Sequence, residues 1–213
     1  MPDLNFLVLG AAPLPFAASP QLGFKLEIVN DKADEAIQTV VLRCQIMIEA
    51  TRRHYNAEEQ ERLRDLFDEP SRWSQTLRTM LWTHASVIVS PFTGKTTVDL
   101  PVECTFDFNI AATKYFAGLE GGEVPVLLQF SGTIFYINES GALQVAQISW
   151  SKETKYRLPV RVWKEMMEIY YPNSGWLQLR RDVFDRLYQY KVRRGIPTFE
   201  QALESILPKD EEE

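Results

Sequence analysis

Cysteine and histidine each occur only twice in 213 residues. Two cysteines cannot build a disulfide scaffold, and two histidines leave little for a histidine-built metal centre. The chain has no Cys-x-x-Cys and no His-Glu-x-x-His, so the usual zinc spacings are missing. Long apolar runs are missing too, since no stretch approaches the ~18 residues that a membrane span requires. Positive charge is in deficit, with 23 Lys and Arg against 29 Asp and Glu and a net charge of -6. That balance argues against nucleic-acid binding driven by overall charge. No internal repeat or low-complexity linker interrupts the sequence. What remains is globular in composition, 45% hydrophobic and 24% charged, in a chain long enough to bury about 70% of the surface its unfolded form would expose.

The apolar N-terminus, residues 1–18, carries no basic n-region. Asp3 is its only charge, the first basic residue is Lys25, and Pro13 and Pro15 interrupt it. Read by alternation, Leu4, Phe6 and Val8 form one face of an opening strand, and the expected location is cytoplasmic. Asn138-Glu139-Ser140 is read as a turn, not a glycosylation site.

Strand periodicity dominates up to residue 158. Leu22, Phe24, Leu26 and Ile28 alternate with wet positions, as do Val40, Leu42, Cys44, Ile46 and Ile48 with Val41, Arg43, Gln45, Met47 and Glu49. A helical insertion over 56–82 opens at Asn56, with Glu59 as its capping-box partner, and includes a second short helix with the stripe Trp73, Leu77, Met80, Leu81. Pro101 is expected to break a strand, and Cys104, Phe106, Phe108 and Ile110 to share the face of the next. The segment 111–119 is ambiguous. A long strand from Val124 to Tyr136 carries Gly132 as a bulge and returns through Asn138–Gly141. At Pro159 the period becomes 3.6. One helix carries Val160, Trp163, Met167 and Tyr170. A longer one carries Trp176, Leu179, Val183, Leu187 and Tyr190 up to Gly195, and a capping box at Thr198 and Gln201 opens a third.

This pattern predicts an α+β protein. It has an antiparallel β-sandwich or curled sheet over 1–158, two to three C-terminal helices over 159–207 packed on it, and an acidic tail at 208–213.

Candidate chemistry is sparse. Phe92-Thr93-Gly94-Lys95-Thr96 ends like a phosphate-binding loop, but Val89 stands where the pattern needs glycine and a strand follows. It is read as a turn. Cys44 and Cys104 both fall on apolar strand faces and are read as buried free thiols. A catalytic reading gathers His84, Asp107 and Arg43 in one cleft, and Asp99, Glu103 and Asp107 are the carboxylates that could pair. Between residues 180 and 194 six basic residues, Arg180, Arg181, Arg186, Lys191, Arg193 and Arg194, face Asp182 and Asp185, a balance of +4 and a candidate partner surface. Arg52, Arg53, Arg62 and Arg64 form a second basic cluster beside Glu58, Glu59 and Glu61. Trp73, Trp82, Trp163 and Trp176 are read as core anchors.

Several stretches together resemble a bacterial family of domains of unknown function. They are Leu42-Arg43-Cys44-Gln45, Leu81-Trp82-Thr83-His84, Phe92-Thr93-Gly94 with Asp99-Leu100-Pro101, Phe130-Ser131-Gly132-Thr133, Tyr156-Arg157-Leu158-Pro159 and Pro172-Asn173-Ser174-Gly175-Trp176. The resemblance runs from about Leu22 onward and carries over no functional residue. The family's placement near nickel–iron hydrogenase maturation genes implies an accessory or assembly role. The expectation is therefore a non-catalytic binding or assembly factor with a protein partner, no cofactor, no metal, no nucleic acid and no membrane. The alternatives are an enzyme with a cleft around His84 and Asp107, a chaperone for unfolded chains similar to SecB, and a carbohydrate-binding sandwich with exposed coplanar aromatics.

Overall fold

A computed structural model describes residues 1–105 and 109–207. Asp107, with Phe106 and Phe108 of the expected strand face, and the acidic tail lie outside the described residues. The chain divides into two compact units, Met1–Asn173 and Ser174–Glu213.

The first unit is two antiparallel sheets. One is β1 (Leu4–Pro13), β2 (Gln21–Asn30) and β6 (Lys95–Glu103), in the order β1-β2-β6. The other centres on β3 (Ala36–Ile48). It pairs with β4 (Met80–Val89) and β5 (Phe92–Thr93) on one side and with β7 (Glu123–Ile137) on the other; β7 in turn pairs with β8 (Leu143–Gln147) and β9 (Glu153–Pro159). The alternating residues of β2 and β3 are buried as their pattern requires: Leu22, Phe24, Leu26, Ile28, Val40, Leu42, Cys44, Ile46 and Ile48 all face the interior. Full burial of each Val, Leu, Ile or Phe side chain among them contributes about 1.5–3 kcal/mol. Phe6 stacks on Phe130 at 4.2 Å, and Phe24 meets Trp82 and Tyr156 edge-on.

The helical insertion is shorter than its stripe implies. α1 (Ala57–Arg62), α2 (Arg64–Phe67) and α3 (Trp73–Thr76) are followed by Leu77 in extended conformation, and Met80 and Leu81 belong to β4. Pro101 does not break β6. This strand is an edge, where a missing N–H leaves no ladder bond unmade, and Pro101 keeps register with Gly23. Ile110 is not in a strand but opens α4 (Ile110–Gly118), which Asn109 caps by accepting from the Ala112 N–H. α5 (Val160–Tyr170) packs on β1, β2, β9 and α4, with Trp163 stacked on Phe116 at 5.3 Å. The helical period after Pro159 thus closes the sandwich unit.

Gly132 keeps register with Leu42 in the β3–β7 ladder instead of bulging. On its other side the chain loops out between β8 and β9. Ile148 N–H donates to the Gly132 carbonyl and Phe130 N–H to that of Lys152, which leaves Trp150 92% exposed at the tip.

Arg53 joins the insertion to the sandwich. Its guanidinium makes two hydrogen bonds to Glu59, at 2.8 and 2.9 Å, and donates to the carbonyls of Gly121 and Glu123. Burial by itself lowers the Arg53 pKa, but the Glu59 hydrogen bond and charge outweigh it and hold the pKa above its ordinary value. Burial would raise Glu59; Arg53 and the Glu120 N–H overcome it and hold the carboxyl below its usual range. The second basic cluster is accordingly neutralised. Arg52 pairs with Glu49, Arg62 with Glu58 and Glu120, and Arg64 with Glu61 and Glu69.

No helix among the described residues is long and apolar enough to cross a membrane.

Candidate docking groove

Both thiols are sealed. Cys44 and Cys104 are free and buried, and burial pushes each up to about 12. At that pKa the thiolate fraction at neutral pH is negligible, so neither acts as a nucleophile. Native protein at pH 8 should leave both thiols unmodified by a disulfide reagent over an hour, and both should react once urea unfolds it. A thiol that titrates in the native state contradicts the sealed core.

His84 is exposed on the outer face of β4, its Nε2 3.2 Å from Gln45 Oε1. Arg43 lies on the same outer face of β3, opposite Ser86, while Gln45 is opposite His84. Sheet geometry makes the two diagonal neighbours about 7 Å apart. Arg43 has no polar partner among the described residues. A cavity of 490 Å³ beside His84 is lined by Leu81, Trp82, Thr83, Asn109, Ile110 and Ala111. The structure thus brings His84 and Arg43 together on an open sheet face, and Asp107 lies outside the described residues. Asp99 and Glu103 sit on β6, in the other sheet. Trp82 and Trp163 are buried as anchors, whereas Trp73 and Trp176 are half-buried.

The second unit has a different character. α6 (Arg181–Arg193) and α7 (Phe199–Glu204) form a hairpin. α6 begins five residues later than its stripe implies. Asn173, in left-handed conformation at φ 48°, turns the chain after α5, and Trp176 and Leu179 precede the helix. Its C-terminus is a Schellman motif: Gly195 at φ 66° lets its N–H reach the Val192 carbonyl, and Ile196 N–H reaches that of Lys191. Thr198 accepts from the Gln201 N–H to start α7. Phe184 meets Phe199 at 5.4 Å, and the Tyr190 hydroxyl lies 3.1 Å from Ser205 Oγ.

This hairpin cannot bury its own stripes. No α6 residue is fully buried, and in α7 only Ala202 is. Leu177 is 66% exposed and Phe184 45%. With Leu179, Leu187, Phe199 and Leu203 they line a groove of 640 Å³, which Arg181 and Asp185 border. The sequence stripe reached two of its residues, Leu179 and Leu187, and missed Leu177, Phe184, Phe199 and Leu203. What it could not show is that the face stays open.

Most of the six basic residues are engaged within the unit. Arg180 pairs with Asp182 at 3.1 Å, and Arg181 lies 4.0 Å from Asp185. Lys191 turns onto the carbonyls of Ile196 and Pro197, and Arg194 stacks over Tyr190. Arg186 and Arg193 have no partner among the described residues. Seven residues apart, they share the helix face opposite Phe184.

Among solved structures, the chain is similar to a Bordetella pertussis protein assigned as ApaA, with 13% identity, a TM-score of 0.24, and coverage of 74% of this chain and 94% of that one. It is also similar to β-glucosidase 3B from Thermotoga neapolitana, with 10% identity, a TM-score of 0.24, and coverage of 73% of this chain and 17% of that one. At these scores neither likeness bears on function. No protein of curated function matches the sequence. The model of DUF6084, a family of unknown function, matches residues 1–213, and the chain belongs to that family.

Proposed function

We propose that the protein is a non-catalytic binding and assembly factor that docks a protein partner in the groove of its C-terminal unit. The observation that carries this reading is the open apolar groove formed by Leu177, Phe184 and their neighbours. Apolar side chains that a short helical hairpin leaves in water are stabilised when a partner covers them, and contiguous exposed patches of this kind mark interaction sites. Within the sandwich both thiols and the rings of Trp82 and Trp163 are used as filling. Proteins of a nickel–iron hydrogenase maturation apparatus, acting in the cytoplasm, are the first partners to test under this reading.

The test is co-purification of the full chain from its native host at near-native expression. Wild type should retain a defined partner in stoichiometric amount. Leu177→Lys and Phe184→Lys should lose at least about 90% of it, by the cost of placing a charge in an apolar contact, while Leu177→Lys, whose wild-type side chain is 66% exposed, keeps its melting curve within about 0.5 kcal/mol of wild type. Failure to recover any stable partner, or a partner retained by both variants, overturns the reading. Competition by excess unfolded protein would favour the chaperone alternative instead.

A further inference from the structure

We propose that the free edge of β8 pairs with β8 of a second copy of this chain, joining two sandwiches through one continuous sheet. Among the described residues β8 pairs only with β7. Its ladder has a fixed parity. Ile148 N–H donates to Gly132, and Asn138 N–H donates to Ala142. Gln144 and Ala146, opposite Tyr136 and Ile134, therefore bond to β7, while the N–H and C=O groups of Leu143, Val145 and Gln147 point away from it. Such a row is a template for another extended strand.

Edge strands are ordinarily protected by charge, proline or cover. β8 carries no charge and no proline, and the whole of Ser140–Ser151 is uncharged in a chain of net charge -6. A copy arriving here meets no like charge, whereas elsewhere the acidic chain repels itself. Antiparallel pairing about Val145 is self-complementary. Val145 pairs with its counterpart and Leu143 with Gln147 of the other copy, and all three outward N–H groups of each strand find acceptors. The same pairing covers exposed apolar groups, for Leu143 is 59% and Val145 58% exposed, and Trp150 just beyond the strand is 92% exposed.

Sedimentation of the full chain between 1 and about 100 µM, a range spanning standard weak self-association, should show a monomer–dimer equilibrium. Val145→Lys sets two cations face to face at the two-fold, and Val145→Pro removes an N–H that β7 does not use. Each should raise the dimer dissociation constant at least about tenfold while leaving the monomer's melting transition in place. Amide exchange at Leu143, Val145 and Gln147 should slow as concentration rises. A wild-type chain that stays monomeric throughout overturns the proposal, as does a dimer that Val145→Lys leaves intact.

Discussion

Gly132→Ala is expected to destabilise the protein by about 4 kcal/mol or more, an exceptional cost for one methyl group. A Cβ at this position would lie 2.1 Å from the Val41 carbonyl oxygen and 3.1 Å from its carbon. Both are backbone atoms of β3, held by β4 on one side and β7 on the other, so they cannot retreat as a side-chain tip could. The backbone adds to this, since φ of 143° is a conformation that alanine enters only at a cost of about 1–3 kcal/mol. At two to four degrees per kcal/mol for a chain of this size, Tm should fall by roughly 10 °C. Gly10→Ala is the internal control: nothing lies within 4 Å of its Cβ, and it should shift stability by no more than about 0.5 kcal/mol.

Glu59→Gln is expected to cost about 3–5 kcal/mol at pH 7, because it strands a buried guanidinium. The side chains of Arg53 and Glu59 are 9% and 4% exposed, so solvent screens the pair little. The double variant Arg53→Met/Glu59→Met should lose less than the sum of the single changes, since it leaves no unpaired charge. The pair also sets a pH dependence. Because the folded-state pKa of Glu59 is depressed, its contribution is fully present above the ordinary glutamate value of about 4.3 and is lost as pH falls through the folded value. Urea melts from pH 7 down to pH 3 should show that decline in wild type, and its Glu59 share should be absent in Glu59→Gln. Equal stability of wild type and Glu59→Gln at pH 7 would mean that the pair does not hold the insertion.

The sequence displayed elements whose two faces differ and concealed those whose faces do not. β2 and β3 alternate cleanly because one face meets the core and the other meets water. α4 has no such contrast. Ala112, Thr113, Tyr115 and Phe116 are all buried, so no amphipathic stripe marks the helix. The run Cys104, Phe106, Phe108, Ile110 continues a period of two into a residue that the helix claims, and the Asn109 cap decides between them. The capping box at Asn56 and Glu59 was legible, yet nothing local shows that the same carboxylate also receives Arg53. The apolar groove was half legible, through Leu179 and Leu187. The stripe of Leu179, Val183 and Leu187 announces an apolar face, and burial inside the chain is the natural inference from it. Forty residues with two short helices lack the depth to fulfil that inference.

Docking of a partner in the groove is tested most directly by hydrogen–deuterium exchange on the full chain, with and without the protein that co-purifies with it. Amides of α6, α7 and residues 177–179 should exchange at least about tenfold more slowly in the complex, while those flanking Arg43 and His84 keep their free rates. Protection centred on the Arg43–His84 sheet face, with α6 and α7 unaltered, would contradict the account and return the functional centre to the sandwich.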